Sequence, residues 1–365
     1  MTISFDTIPA SIRKPGVYME FNTSLAVRTL PTNAQHICLV VPLEAGATAA
    51  ENEPAQVYSA DEAKAAFGAV AGEMVAAAIA AYRYAAISCV GVAVIDQAEP
   101  DISAALASTA QGGYTILVPA WFSETAMTAI RTHIATWTSS IEQQSIIGVA
   151  AVITTLSAAT ALASALNSGA ITVALLSGTT SSARQVAAAY AAIIASEEDP
   201  ARPLNTLVLT GIAIPPIASR LGRTEQETCL ANGITPLEVG AGNVVQIVRA
   251  ITTYTKSAAG ATDVSMLDLT TIRTLYYVRQ ACRDRIRLRF PRSKLSSKTA
   301  EAVRGELLDV LKKCEELEIL EAVDDNAAAL VVERSTQDVN RLNAAIPADV
   351  VNGLHVFAGR IDLLL

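Results

Sequence analysis

Charge is sparse in this chain and aromatic side chains are sparser. Of its 365 residues, 17% are Asp, Glu, Lys or Arg and 5% are Phe, Trp or Tyr, while 51% are hydrophobic. So little charge leaves a thin polar surface for a monomer of this size. A protein that buries surface against partners fits that description, and so does an Ala-rich α/β enzyme. The five cysteines (Cys38, Cys89, Cys229, Cys282 and Cys314) are odd in number and far apart, and none forms Cys-x-x-Cys. They read as reduced, buried thiols. The three histidines, His36, His133 and His355, fall in different elements, and no His–Cys pair has metal-ligand spacing. His133, in the middle of a helix, reads as a surface or half-buried side chain. The sequence contains no Gly-x-x-x-x-Gly-Lys-Ser/Thr, no Gly-x-Gly-x-x-Gly after the first strand, no His-Glu-x-x-His and no Gly-x-Ser-x-Gly. The acidic runs Glu197-Glu198-Asp199 and Asp324-Asp325 read as solvated loops. No catalytic residue, metal ligand or cofactor site is therefore assigned, and the chain is not read as an enzyme. A net charge of -8 argues against nucleic-acid binding by the chain as a whole. The opening residues, MTISFDTIPASIRKPG, lack the apolar stretch of a secretory leader.

Between Gln143 and Ala183 no residue is charged, a run long enough to suggest a membrane span. Thr154, Thr155, Ser157, Asn167, Ser168 and Gly169 break it, and the pattern predicts a strand (146–153), a helix (156–166) and a strand (171–176). That is a buried βαβ unit. Similar alternation runs through the preceding sequence. Strands are predicted at 16–29, 36–41, 88–95, 114–118 and 206–212, and helices at 60–67, 72–84, 124–141 and 181–196. Strands and helices in this order imply a mainly parallel sheet between helical layers. After Pro215-Pro216 the character changes. A short helix (223–230) is followed by a strand (244–254). Ser265 and Asp268 resemble a capping box for a long helix ending near 288, and Pro291 separates it from a second amphipathic helix (296–317). Strands are expected at 327–333, 350–357 and 360–365. The expected fold class is thus α/β, a mainly parallel sheet domain with flanking helices, plus an α+β carboxyl-terminal domain and extended terminal arms. The expected divisions are an arm at 1–20, an α/β domain at 21–215, an α+β domain at 216–348 and a strand-like arm at 349–365.

Two features stand out. From Arg273 to Lys298 there are nine basic residues and one acid, Asp284, so this segment carries +8 and the remainder about -16. Arg279, Arg283 and Arg287 step by four and give one helix face a basic stripe. Such a face either pairs locally with Glu301 or Glu306, docks an acidic partner or, less in keeping with the scarce aromatics, meets nucleic acid. The second feature is the ends of the chain. The amino-terminal arm carries Ile3, Phe5 and Ile8 without helical periodicity, and the carboxyl terminus ends in Leu363-Leu364-Leu365. These segments either fold back on their own chain or add as strands to a neighbour's sheet.

KPGVYMEFNTS followed by LPTNAQHICLVVP, and later NGITPLE, VQIVRAITTY and TDVSMLDLTTIRTLYYVRQACRDRIRLRFPRSKL, resemble the Mu-like family of contractile phage tail sheath proteins, which is related to R-type pyocin sheaths. The resemblance is strongest over residues 12–45 and 230–295. It implies a structural subunit stacked in six-fold rings around an inner tube, in a virion tail assembled in the cytoplasm of a host bacterium. The implied partners are other copies of the chain, the tube protein, and baseplate and tail terminator proteins, with no direct nucleic acid and no membrane insertion. It further implies an outer α/β domain and an inner carboxyl-terminal domain. The expected inter-subunit contacts are Ile3, Phe5, Ile8, Val356, Ile361 and Leu363, and the expected tube-facing residues are Arg279, Arg283 and Arg287. A sheath of a phage-tail-like bacteriocin or secretion system is the nearest alternative, and a small-molecule-binding α/β protein is a more distant one.

Overall fold

The computed structural model describes residues 30–93 and 100–363 together with Lys14, Gly16 and Met19, the side chain of Ser297 excepted. The predicted amino-terminal arm and the strand at 16–29 lie outside the described residues.

An eight-stranded sheet organises most of the chain. Its strands are β1 (His36–Leu43), β2 (Pro54–Val57), β3 (Ala86–Ala93), β4 (Ile116–Pro119), β5 (Ile147–Val152), β6 (Ile171–Leu175), β7 (Thr235–Gly240) and β8 (Val244–Ile247), in the spatial order β2-β3-β1-β4-β5-β6-β7-β8. The six strands from β3 to β7 in that order run parallel, and β2 and β8 close the two edges antiparallel. Strands buried on both faces need continuous apolar runs, and ICLVV in β1 and ILVP in β4 supply them. One face is covered by α1 (Ala60–Phe67), α2 (Ala69–Ala81) and α6 (Ala183–Ser196). The other carries α3 (Ser103–Thr109), α4 (Glu124–Trp137), α5 (Leu156–Leu166) and α7 (Arg223–Ala231). Small side chains make this close layering possible. Every residue of α6 from Val186 to Ala195 is buried, as a helix apolar on all sides must be.

Local chemistry sets the helix ends. Ser59, Ser123, Thr155 and Ser182 cap α1, α4, α5 and α6 by accepting from backbone amides of the first turn. At Gly68, φ is 125° and an added Cβ would lie 2.5 Å from the Glu44 side chain. The Glu44 carboxylate uses that space to accept from the amides of Ala69 (2.8 Å) and Val70 (3.0 Å) at the start of α2.

The uncharged stretch 143–183 forms the βαβ unit β5–α5–β6, and no helix among the described residues is long and apolar enough to cross a membrane. Several expectations need correction. Residues 206–212 form turns with a single bridge, Val208 to Gln246, because Thr206 and Gly211 take positive φ there. The strand expected at 244–254 ends at Ile247, and β2, α3 and β7 carry too weak a sequence pattern to have been foreseen. Strands β7 and β8, from beyond residue 215, hydrogen-bond into the large sheet.

Carboxyl-terminal to the sheet, α8 (Leu269–Arg289) and α9 (Ser297–Glu316) pack against a two-stranded antiparallel sheet of β9 (Val331–Arg334) and β10 (Leu342–Ala345). Helix α8 joins two cores. Leu269 and Ile272 belong to the core of the large sheet, while Tyr277, Val278, Ala281 and Cys282 join Val303, Leu307, Val310 and Leu320 in a second. Asp268 occupies the cap position of α8 but makes no side-chain capping bond. The expected capping box does not form: α8 starts at Leu269, so Ser265 lies before the helix with its amide donating to Asp263 (2.9 Å), and Arg249 takes the Asp268 carboxylate in two hydrogen bonds, at 2.9 and 2.7 Å.

Candidate assembly surface

The basic segment is consumed largely within the chain. Arg285, with its side chain 3% exposed, bridges α8 and α9 by pairing with Glu306 at 3.0 Å and Asp309 at 2.6 Å. Burial favours loss of its charge, but the two carboxylates outweigh that and hold its pKa above the usual value. Arg279 donates to the carbonyls of Thr138 (2.8 Å) and Gln144 (2.6 Å), with its guanidinium 4.9 Å from the centre of the Tyr276 ring. Arg283 donates to the Gln143 carbonyl at 3.1 Å. These contacts tie α8 to the turn after α4, since capping lone carbonyls there needs a long cationic donor. Arg287 is exposed. Glu306, one of the two local partners expected for the basic face, is engaged, though by Arg285 and not by the stripe.

Behind the stripe lies an apolar groove of about 710 Å³ between α8, α9 and the small sheet. Val278, Cys282, Ile286, Leu307, Val332 and Leu342 line it, and Arg279, Arg283 and Arg287 stand along its side. Among the described residues β9 and β10 hydrogen-bond in a ladder only with each other, so each has one edge with no described ladder partner. Two-stranded sheets are marginal by themselves, and an open edge is a template for a further strand.

The carboxyl-terminal tail lacks such a ladder. The main chain is pinned where Glu321 donates to the Asp349 carbonyl (2.9 Å) and Leu320 bridges Val350. Beyond that, residues 351–363 contain no strand, contrary to expectation. A strand requires a partner, and among the described residues the chain offers this segment none. Its burial still alternates. Val351, Gly353 and His355 turn inward, while Leu354 and Val356 turn out. His355 accepts from Asn205 at 3.0 Å and lies 3.4 Å from Asp268. From Val356 onward the tail is uncovered: Phe357 is 87% exposed, Ile361 99% and Leu363 82%. Three of the anticipated contact residues, Val356, Ile361 and Leu363, thus sit on one bare apolar segment. The other three, Ile3, Phe5 and Ile8, lie outside the described residues.

The remaining chemistry is quiet. The five cysteines are buried and unpaired, and burial pushes the Cys89 and Cys282 thiols up to about 12, far from thiolate formation at neutral pH. His133 is buried rather than half-exposed, and burial lowers its pKa. Among the described residues no group of three or more His, Cys, Asp or Glu could hold a metal. At the carboxyl ends of β6 and β7 a cavity of about 130 Å³ contains Arg220, Gln226 and Glu238. Gln226 and Gln246 both donate to Glu238, at 3.1 and 2.9 Å, and Arg220 donates to the Pro215 carbonyl at 3.2 Å. Its polar groups satisfy one another, and it is smaller than an ordinary ligand pocket.

Comparison with known proteins follows this anatomy. Residues 96–253 match the phage tail sheath protein central domain, and residues 261–363 match the phage tail sheath C-terminal domain. The Mu-like prophage FluMu tail sheath protein of Haemophilus influenzae is 35% identical over 192 residues, which cover 49% of this chain and 39% of that protein's length. The crystal structure of a sheath tail protein from Desulfitobacterium hafniense superposes with a TM-score of 0.66 at 11% identity, over 93% of this chain and 97% of that one. The helical sheath of the anti-feeding prophage in its contracted state gives 0.61 at 14% identity, over 97% and 99% of the two chains. At such identities the structural likeness establishes the fold.

Proposed function

We propose that this chain, which belongs to the phage tail sheath family, is a structural subunit of a contractile sheath, one that polymerises as stacked six-fold rings around an inner tube and contracts to drive that tube through a target envelope. The observation that carries this reading is the bare apolar tail of a chain whose carboxyl-terminal domain also presents an apolar groove and a small sheet with no further ladder partner among the described residues. Four exposed side chains, Val356, Phe357, Ile361 and Leu363, gain roughly 1.5–3 kcal/mol each when covered. An edge strand and a groove on a second copy offer both the hydrogen bonds and the apolar surface to cover them. Donation from copy to copy, by the tail and by the amino-terminal arm with Ile3, Phe5 and Ile8, generates an open or ring-closing array because donor and acceptor surfaces differ.

On this reading residues 1–20 and 349–365 are the linking arms, 21–215 the outer domain and 216–348 the inner domain. Of Arg279, Arg283 and Arg287, the stripe proposed to meet the tube, Arg287 is the exposed member that would reach it, and its two companions hold the helix against the turn at 138–144. The further partners are the tube protein and the baseplate and tail terminator proteins, and the setting is a virion tail assembled in the bacterial cytoplasm. Contraction needs no nucleotide if the extended array is a kinetic trap, held by a barrier and released as domains repack as rigid bodies. The same subunit chemistry would serve a bacteriocin or an extracellular injection system. The fold shared with the anti-feeding prophage sheath and with the PVC sheath complex, an extracellular contractile injection system, favours keeping that second reading.

The test is electron microscopy of the purified chain at high concentration, beside versions lacking residues 1–20 or 354–365. Hollow cylinders or stacked rings that vanish in both truncations support arm exchange. Cylinders that persist in both refute it, and monodisperse monomers of the full chain, even with purified tube present, refute the sheath itself.

A further inference from the structure

A second cavity, of about 350 Å³, opens at the amino-terminal edge of the large sheet. Gln35 just before β1, Thr115 just before β4 and Ile147 at the start of β5 form one wall. Helix α8 forms another with Arg273, Tyr276, Tyr277, Gln280 and Arg283, positions three or four apart that share one helix face. Among the described residues no Asp or Glu lines it, so two guanidinium groups share a cavity to which no described residue contributes a carboxylate.

Arg273 is 5% exposed. Its Nη2 donates to the Glu197 carbonyl, while its Nε and Nη1 are buried without a hydrogen-bond partner. The Nε of Arg283 is buried and unpartnered as well. Burial draws the Arg273 pKa down to about 10, with Glu197 and Asp199 acting through space in the opposite direction, so the group is still a cation at neutral pH. A buried cation with two open donors is unfavourable unless an acceptor meets them, and charge-assisted bonds to an oxyanion are the strongest acceptors available. The other described lining groups are neutral. The Gln35 amide donates to Asn33, Gln144 and Gln280 each spend one amide N–H within the chain, on Ala110 and Asp284, and keep a second, and Tyr276 and Tyr277 bring ring faces. The volume lies within the range of small-ligand pockets.

We propose that this cavity is a binding site for a small oxyanion, a phosphate or carboxylate group whose oxygens accept from the buried Arg273 while Arg283 raises the local positive potential. The site belongs to the fold of a single subunit and does not rest on the sheath reading. Occupancy would brace α8, the helix shared by both cores, against the sheet.

Calorimetric titration and thermal melting of the full-length chain test this, with inorganic phosphate, acetate and sodium chloride compared at matched ionic strength. Phosphate, acetate or both should give saturable heat and a higher Tm than chloride, and the comparison of the two distinguishes a phosphate from a carboxylate site. Arg273→Met should weaken binding at least about tenfold, the loss of one charged hydrogen bond. If that variant does not fold, Arg283→Glu carries the test and should weaken binding by a similar factor through charge reversal. No saturable heat from either anion beyond chloride would overturn the proposal and leave water as the occupant. Binding that survives unchanged in the folded variants would place the anion elsewhere and overturn it too.

Discussion

Replacing Ile361 by Glu isolates tail exchange from folding. The Ile361 side chain is 99% exposed in the single subunit, so the substitution removes no contact there and should leave Tm within about 1 °C of wild type. If the proposed tail exchange holds, a neighbour covers the same side chain in the polymer, and the lost apolar burial is about 2–3 kcal/mol for each added subunit. At a factor of ten per 1.4 kcal/mol, the critical concentration for assembly should rise about 30- to 150-fold, and more if the carboxylate is buried without a cation. Sedimentation of pre-equilibrated samples across a concentration series, with the supernatant concentration as the readout, measures this directly. An unchanged critical concentration would refute the claim that the tail is an inter-subunit contact. A lowered Tm would refute the claim that the tail is bare in the subunit.

Three further outcomes follow from the packing. Arg285→Ala removes the nearest cation from Glu306 and Asp309, which keep Arg289 at 3.6 Å and Lys313 at 3.7 Å, and should cost about 1.5–3 kcal/mol in denaturant unfolding, the worth of a charged hydrogen bond; a loss under 1 kcal/mol would show that the remaining cations and water already serve those carboxylates. For Asp268, burial alone would raise the carboxyl, but the His355 ring 3.4 Å away and the Arg249 guanidinium, in two hydrogen bonds, overcome it and hold its pKa at about 2 against the ordinary 3.8. The stability so contributed is fully present above pH 3.8 and disappears as pH falls through about 2. Asp268→Asn should therefore cost about 1–2 kcal/mol at neutral pH, discounted for partial exposure, and its deficit should shrink on acidification in chemical denaturation at each pH. Gly233→Ala should lose about 2 kcal/mol in the same assay, because φ is 73° and the new Cβ would lie 2.9 Å from Thr253 Cα; a neutral result would mean the turn into β7 is free to move.

The sequence by itself determined the alternating α/β architecture, because burial on both faces demands apolar runs such as those of β1, β5 and β6 and because Ser and Thr mark helix starts wherever they cap them. It determined the two long helices for the same periodic reason, and it carried the family in NGITPLE and in the Arg-rich segment after TDVSMLDL. Weakly patterned elements were another matter. Strand β7 opens with Thr-Pro and exists because β6 and β8 supply ladders on both sides, while the segment 206–212, more strand-like in composition, is left out because its backbone turns at Thr206 and Gly211. Only the tertiary structure decided the fate of the basic stripe. Charge spacing gives Arg279, Arg283 and Arg287 one common face, but carbonyls at 138–144, more than a hundred residues away in sequence, claim the first two and leave the third exposed. Only the tertiary structure, likewise, set Arg273 and Arg283 around a cavity with no Asp or Glu among its described lining residues and left residues 356–363 without cover. The physical reason is common to both cases. Periodicity reports what a segment requires of its surroundings, whereas the partners that meet or fail to meet the requirement come from distant parts of the chain.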